Sequence, residues 1–466
     1  MPSFYIENFG CRASQADGAA ISRQLAARGL EPDSAHQAEF VVLNTCTVTA
    51  DADRATRAAV RRIHSENPRA SILVTGCYAQ RAPSEVAVLP GVACVAGNSH
   101  KHAIADILLP AAFVPLRSLL DTPPLDSKPA SVHVENIFAH TELLAAPVSG
   151  PWNNAPGDSR TRPNLKVQDG CDNRCSFCVI PSVRGHSRSR RLQQVLEDVH
   201  ALVATGSREV VISGINLGRW GRDLTPASRL ETLVEAILQR TQLEKLRLSS
   251  VEPMDWSDAL IALIRSSPRI AKHAHVPTQS GSDTVLRRMH RKYRPWHYRE
   301  KITKIRETMP TAAIGADVMT GFPGETDAEF EETRRMVEEL PLTYLHIFPY
   351  SPRPGTPAAA LPGQVPGHIA RQRHHVLRDL IVAKKQAFAH SFMGLTLSAI
   401  TLVSSPSEST NALTDNFLEL RLQGQHPPNR WVHARIEASS EGTLVGCLAK
   451  SSSAASILPY SGADKR

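Results

Sequence analysis

Short apolar runs alternate with helical segments along most of the chain. In the first hundred residues three of them, SFYIENFGC, EFVVLNTC and SILVTGC, each carry an apolar strand into small or polar residues and then a cysteine: Cys11, Cys46 and Cys77. These cysteines are 35 and 31 residues apart, about one strand-helix unit, and the intervening QADGAAISRQLAARG and ADRATRAAVRRIHSEN have helical composition and spacing. In a parallel α/β sheet the carboxyl ends of the strands share one edge, where ligands bind. Three cysteines remote in sequence are therefore expected to meet there. Three unconnected buried cysteines are the plainer alternative, and equivalent placement in successive units favours a ligand set. Cys94 and Cys447 lack such a context and read as structural.

From 106 to 158 the pattern breaks into small and polar residues around prolines such as Pro110, Pro123, Pro124 and Pro151, and reads as a connector, partly folded back. Then LKVQD, EVVISG, KLRLSS, HAHVP, AAIGADVMTG and YLHIFPYS alternate with helical stretches across 159–387. Six strand-helix repeats predict a parallel sheet curling into a partial TIM-like (β/α)6 barrel, with its chemistry at the carboxyl ends of the strands. From 388 to 452 the short alternating runs GLTLSAITLVS, FLELRLQG, WVHARIEASS and GTLVGCLAK predict a small antiparallel β barrel, with a long insert around SSPSESTNA. Residues 453–466 read as a flexible tail. The fold class is thus α/β: a parallel N-terminal domain over residues 1–105, a connector, a barrel and a terminal all-β module.

A chain of 466 residues with 42% hydrophobic content supports two or three packed domains. It contains no apolar run of membrane-spanning length, and MPSFYIENFGC lacks the layout of a secretion signal. A cytoplasmic protein without membrane association is expected. Eight cysteines in such a chain suggest reduced thiols serving metal or chemistry, not disulfides. The formal charge of +8 points toward a polyanionic partner. Two basic strings carry much of it: RGHSRSRR, from Arg184 to Arg191, and RRMHRKYR, from Arg287 to Arg294. The second suits an ordinary solvated face, whereas the first follows a cysteine cluster and predicts a positive rim of Arg184, Arg188, Arg190 and Arg191.

That cluster is GCDNRCSFCVIP, with Cys171, Cys175 and Cys178 after the first barrel strand. Structural zinc is closed by four ligands, and only His186 lies near enough in sequence to be the fourth. A [4Fe–4S] cube held by three thiolates instead keeps one iron open to a small molecule. The C-x3-C-x2-C spacing, with Phe177 before the last cysteine, resembles the signature of the radical S-adenosylmethionine (SAM) superfamily. There the open iron is chelated by SAM, whose reductive cleavage yields a 5′-deoxyadenosyl radical. The resemblance assigns SAM contacts to Phe177, to Gly214 and Asn216 in SGINLG, to Gln279 and Ser280 in PTQSGSD, and to Asp317 in GADVMTGFPGET. Thr326 and Glu329 also form a T-x-x-E capping box, so part of that last segment starts a helix.

Read in order, the strand-end cysteines, GCDNRCSFCVIPSVRG, QSGSDTVLRRM, DVMTGFPGET, FPYSPRPGTPAA and the terminal barrel resemble the radical-SAM methylthiotransferases over almost the whole chain. The resemblance implies an auxiliary [4Fe–4S] cluster on Cys11, Cys46 and Cys77, a radical-SAM [4Fe–4S] cluster on Cys171, Cys175 and Cys178, and a TRAM-like RNA-binding barrel. It implies insertion of sulfur and a methyl group at an unactivated C–H bond, one SAM supplying the radical and another the methyl group. RGHSRSR and SGINLGRWG resemble the branch acting at C2 of threonylcarbamoyladenosine 37, next to the tRNA anticodon. The expected partners are then a tRNA anticodon arm and a reducing electron donor, with the enzyme monomeric. The isopentenyladenosine branch and a zinc-dependent RNA-binding protein are the competing readings.

Overall fold

In the computed structural model the described residues are 2–109, 129–140, 143, 161–403 and 408–449. The three cysteine-tipped runs belong to a sheet of six parallel strands: β1 (Ser3–Asn8), β2 (Glu31–Pro32), β3 (Phe40–Thr45), β4 (Ser71–Gly76), β5 (Val92–Gly97) and β6 (Ser131–His133), in the order 2-1-3-4-5-6. From their second residues onward β3 and β4 are buried throughout, as strands of a sheet covered on both faces must be. On one face the helix Arg12–Ala27 packs Ile21 and Leu25 against Phe4, Val42 and Leu73. On the other, the helix Ala50–Glu66 packs Val60 and Ile63 against Val41, Leu43, Ile72 and Val74. Its first turn is capped by Thr49, whose side chain accepts a hydrogen bond from the Ala52 amide. Cys94 lies in the first of these cores, away from the cysteine edge.

The barrel strands are β7 (Asn164–Asp169), β8 (Arg188–Ser189), β9 (Glu209–Gly214), β10 (Lys245–Leu248), β11 (His273–His275), β12 (Ala313–Thr320) and β13 (Tyr344–Pro349). Six of them run parallel in the order 7-9-10-11-12-13. Bridges at Leu246–Ile270 and Ser250–His275 join the two halves, and β8 lies antiparallel outside β7. Strand alternation sorts the side chains. Leu165, Val167, Val210, Ile212, Leu246, Leu248, Ala274, Ile314, Ala316 and Val318 pack outward against the surrounding helices. Lys166, Gln168, Glu209, Arg247, His273, His275, Asp317, Tyr344 and His346 fall on the inner face. The expected partial barrel is present.

The helix Gly367–His390 leads into β14 (Thr396–Thr401), β15 (Ser409–Thr414), β16 (Glu419–Gln423), β17 (Trp431–Ser440) and β18 (Thr443–Leu448), which close a barrel in the order 14-15-16-18-17. Two corrections apply. The β16–β18 pair is parallel within the otherwise antiparallel barrel. The presumed insert is also shorter than its sequence suggests, because Ser409 onward is β15 itself, pairing with β14 and β16. The turn after β15 seals the amino end of the larger barrel: Phe417 lies on His273 with ring centres 4.3 Å apart, Asp415 pairs with Lys245 at 3.0 Å, and Asn416 donates to the Thr311 carbonyl at 3.0 Å. The proposed tail, 453–466, lies outside the described residues, as does most of the connector.

Candidate active site

Each N-terminal cysteine stands immediately past its strand or one turn beyond it, and local backbone demands bring the three together. Gly10 has φ of 92°, and a Cβ on it would lie 2.7 Å from Cys46 Sγ, so the first turn rests directly on the second cysteine. Gly76, with φ of 100°, leaves no room for a side chain against the Thr45 carbonyl. Cys46 and Cys77 are buried and Cys11 is exposed. Burial, with Cys77 and Cys11 as neighbours, pushes the Cys46 thiol up to about 11.

Cys171, Cys175 and Cys178 sit on the loop after β7. Burial first, then Cys175 and Cys171, pushes the Cys178 thiol up to about 12, and burial likewise raises Cys171. Hydrogen-bond donors are nonetheless aimed at these sulfurs. The Asn173 amide lies 3.4 Å and Asn216 Nδ2 3.7 Å from Cys171 Sγ, and Arg291 Nη1 lies 3.3 Å from Cys175 Sγ. Crowded thiols of high pKa facing N–H donors suit thiolates bound to iron, since metal binding deprotonates them and donors then stabilise the charge. Neither cysteine set has all three of its sulfurs within 4.8 Å of one another. Among the described residues the one three-residue group of ligand type with atoms within 4.8 Å of one another is His275, Asp317 and His346, whereas Zn–S bonds of about 2.3 Å put sulfurs roughly 3.8 Å apart. His186, the candidate fourth zinc ligand, is turned toward Asp172 at 2.8 Å and stacks edge-on with Phe138.

Three buried polar atoms at the carboxyl ends of β9 and β11 have no partner: Ser213 Oγ, Asn216 Oδ1 and Gln279 Oε1. Such orphans fit a polar ligand like SAM beside the cysteine loop. Asn216 is anchored through its amide on Gln168 Oε1 at 2.7 Å, and Gly214 must lack a side chain because that oxygen would be 2.7 Å from its Cβ. Gln279 holds φ of 65° and donates its amide to the Asp317 carbonyl at 2.8 Å. Phe177 stands edge-on to Phe322 in an apolar cluster with Met319.

Two further expected SAM contacts are engaged with protein partners. Ser280 is fully buried with its hydroxyl 3.1 Å from Thr333 Oγ1, which orders the following turn. Asp317 lies between His275 Nε2 at 3.1 Å and His346 Nδ1 at 3.2 Å. Burial would raise its pKa, but the two imidazoles overcome that and hold it well below the usual carboxylate range.

The expected arginine rim is largely corrected. Arg184 is 2% exposed, bonded to Asp169, Asp17 and Ser14, and Arg190 is buried against Asp198. Arg188 donates to the His140 and Arg184 carbonyls. Only Arg191, before the helix Leu192–Ala204, is exposed. In the second string Arg287 and Arg294 pair with Asp283, and Arg288 pairs with Glu329. Arg291, which sequence reasoning passed over, holds Glu252 and reaches Cys175. The Thr326–Glu329 capping box forms as expected.

The cysteine edge of the sheet packs on the segment that follows the barrel's cysteine loop. Cys77 packs against Val179 and Val183, just after Cys178, and Asn98 Nδ2 donates to the Val183 carbonyl at 2.6 Å. Opposite, the loop after β13 docks on the loop after Cys46: Arg353 pairs with Asp53 and donates to Thr47 Oγ1 at 3.2 Å, while the Ala50 amide donates to Ser351 Oγ at 3.0 Å. The cysteine edge of the sheet thus closes over the rim of the barrel that carries the second set.

Residues 165–337 match the Radical SAM superfamily, and residues 3–97 match a family described as Uncharacterized protein family UPF0004. The chain is 34% identical to "Threonylcarbamoyladenosine tRNA methylthiotransferase MtaB" of Aquifex aeolicus, over 92% of this chain and 99% of that one. The chain belongs to the radical-SAM methylthiotransferases. It is also 33% identical to the enzyme of the same name from Bacillus subtilis, over 91% of each chain, and 30% identical to "tRNA-2-methylthio-N(6)-dimethylallyladenosine synthase" of Thermobifida fusca, over 95% and 84%. In fold it is similar to the radical SAM methyltransferase TsrM of Kitasatospora setae, with a TM-score of 0.57 at 15% identity over 77% of each chain. Membership brings SAM, a [4Fe–4S] cluster and, in methylthiotransferases, a second cluster. No helix among the described residues is long and apolar enough to cross a membrane.

Proposed function

We propose that this enzyme adds a methylthio group to C2 of threonylcarbamoyladenosine at position 37 of tRNA. The observation that carries the reading is the seam itself: a sheet edge bearing three cysteines packs on the segment that follows a three-cysteine barrel loop, in a chain similar over nearly its full length to threonylcarbamoyladenosine tRNA methylthiotransferases. The auxiliary cluster is assigned to Cys11, Cys46 and Cys77 and the radical-SAM cluster to Cys171, Cys175 and Cys178. When bound, the clusters and SAM supply the radical, sulfur and methyl chemistry.

The chain's own residues position and exclude. Arg291, Asn173 and Asn216 direct donors at the sulfurs of the barrel loop. Asn216 and Gln279 offer unpartnered oxygens to SAM, and Phe177 supplies an apolar wall. Arg353 and Asp53 hold the sheet edge over the barrel rim, which keeps water from the reacting centre.

The inner face of β11–β13 carries a hydrogen-bonded polar line that starts at the sealed amino end of the barrel. Tyr344 Oη lies 2.7 Å from His273 Nε2 and 3.0 Å from His275 Nδ1, and the line continues through Asp317 to exposed His346. The finer reading is a cytoplasmic monomer that takes a tRNA anticodon arm and an external reducing electron donor. The test is reconstituted enzyme given two tRNAs, one with threonylcarbamoyladenosine and one with isopentenyladenosine. Methylthiolation of the first alone is expected, and turnover of the second alone would refute the substrate assignment.

A further inference from the structure

Five charged side chains are buried together in the seam, beneath the cysteine edge. Asp17, on the helix that begins after Cys11, receives Lys101 at 2.7 Å, Arg184 at 3.0 Å and Lys166. Asp169, two residues before Cys171, receives Lys166 at 2.8 Å and both Arg184 contacts at 2.9 and 3.0 Å. Exposures run from 1% for Asp17 to 6% for Asp169. Asp17 and Lys101 come from the N-terminal domain, and the other three from the barrel. Three cations thus share two carboxylates, and half-buried Arg188, on the Arg184 carbonyl, adds further positive charge.

Uncompensated charge away from water is costly unless an anion answers it. The nearest candidates are the sulfurs above. Arg184 Nη2 donates to Ser14 Oγ at 3.2 Å, Ser14 Oγ lies 3.7 Å from Cys11 Sγ, and the residue before Arg184 packs on Cys77. As neutral thiols they give no answer. As three thiolates on an iron–sulfur cluster they give one.

We infer that the Asp17–Lys101–Lys166–Arg184–Asp169 network is an electrostatic positioning device for the auxiliary cluster, its excess positive charge stabilising the more anionic, reduced form. The inference rests on the assignment of that cluster to Cys11, Cys46 and Cys77. Local charge is among the protein's means of setting a cluster's potential. Because Asp169 and Arg184 bracket the barrel's cysteine loop, the same ion pairs fix that loop against the auxiliary site.

The test is an EPR-monitored redox titration of full-length reconstituted protein carrying Cys171→Ala, Cys175→Ala and Cys178→Ala, which leaves the auxiliary cluster alone. Arg184→Gln is expected to lower the reduced-to-oxidised ratio at fixed potential about tenfold, a negative shift of about 59 mV for one electron. Arg184→Lys is expected to stay near the parent. Asp169→Asn, which adds net positive charge, is expected to shift the potential the other way. The pair Arg184→Gln with Asp169→Asn, which keeps the net charge, is expected to return toward the parent. Equal shifts for Arg184→Gln and Arg184→Lys, shifts of one sign throughout, or no shift with iron intact would overturn the inference. So would loss of iron from the charge-balanced pair as well as from Arg184→Gln, since packing alone would then account for the network. Auxiliary iron that survives Cys46→Ala in the same background would instead overturn the cluster assignment beneath it.

Discussion

The two cysteine sets solve the same problem by opposite means. Cys171, Cys175 and Cys178 lie within one loop, and donors from Asn173, Asn216 and Arg291 are brought to it. Cys11, Cys46 and Cys77 lie at the ends of three strands, β1, β3 and β4, and meet only once a sheet has formed. The first set is therefore a property of a segment and the second a property of a fold. The second should depend on every contact that holds the sheet edge and the barrel together.

The largest effect should separate the two sites by chemistry. Cys175→Ala is expected to abolish SAM cleavage, read as 5′-deoxyadenosine; normal cleavage would remove the open cluster from the barrel loop. Cys46→Ala should leave SAM cleavage in place while product formation stops and bound iron falls, and retained product would make the N-terminal set structural only.

Next comes the seam. Arg353 is 3% exposed and pairs with buried Asp53, which Arg81 also holds at 3.1 Å, so Arg353→Ala removes one of two arginines from that carboxylate at a cost of about 1.5–3 kcal/mol. The measurement is chemical denaturation of reconstituted protein together with iron content, and the N-terminal cluster should be lost before the barrel cluster. Loss in the reverse order would contradict the distinction drawn between them.

Acid should act on the same seam. Burial would raise the Asp17 carboxyl, but Lys101, Lys166 and Arg184 reverse this and hold it at about 2. A folded pKa below the unfolded one contributes stability that is present above about pH 4 and lost as pH falls toward 2, about 2 kcal/mol in all. Asp17→Asn should flatten that limb of a stability–pH curve; an unchanged slope would show that Asp17 is not the group titrating.

Two glycines offer the finest separation. Gly76 and Gly170 each precede a cysteine, with φ of 100° and 71°, and a Cβ would meet the Thr45 carbonyl at 2.4 Å or the His186 carbonyl at 1.9 Å. Each change to Ala should cost about 1–3 kcal/mol of backbone strain. Gly76→Ala should deplete the auxiliary cluster and Gly170→Ala the barrel one; equal loss at both sites from either change would mean that the sites do not assemble separately.

What the sequence made legible follows the same division. GCDNRCSFCVIP is readable because its ligands are neighbours, and the six barrel strands because each is an apolar run bounded by turn residues. The meeting of Cys11, Cys46 and Cys77 was inferable from repeated strand-end placement. Strands β2 and β6, of two and three residues, carry no periodic signal. The fate of Arg184 and Arg190 was illegible for a different reason. RGHSRSRR looks like a solvated cationic face until Asp17, from another domain, and Asp198 supply its counter-charges. The value of Arg291 was hidden likewise, because Glu252 and Cys175 are remote from it in sequence.

The most direct test of the central claim is nucleoside mass spectrometry of tRNA from a strain lacking this gene and from the same strain expressing the wild type, Cys46→Ala or Cys175→Ala. The account predicts that 2-methylthio-threonylcarbamoyladenosine disappears, that its unmethylthiolated precursor accumulates, and that only the wild type restores the product. Restoration by either cysteine variant, or loss of the isopentenyladenosine product instead, would contradict it.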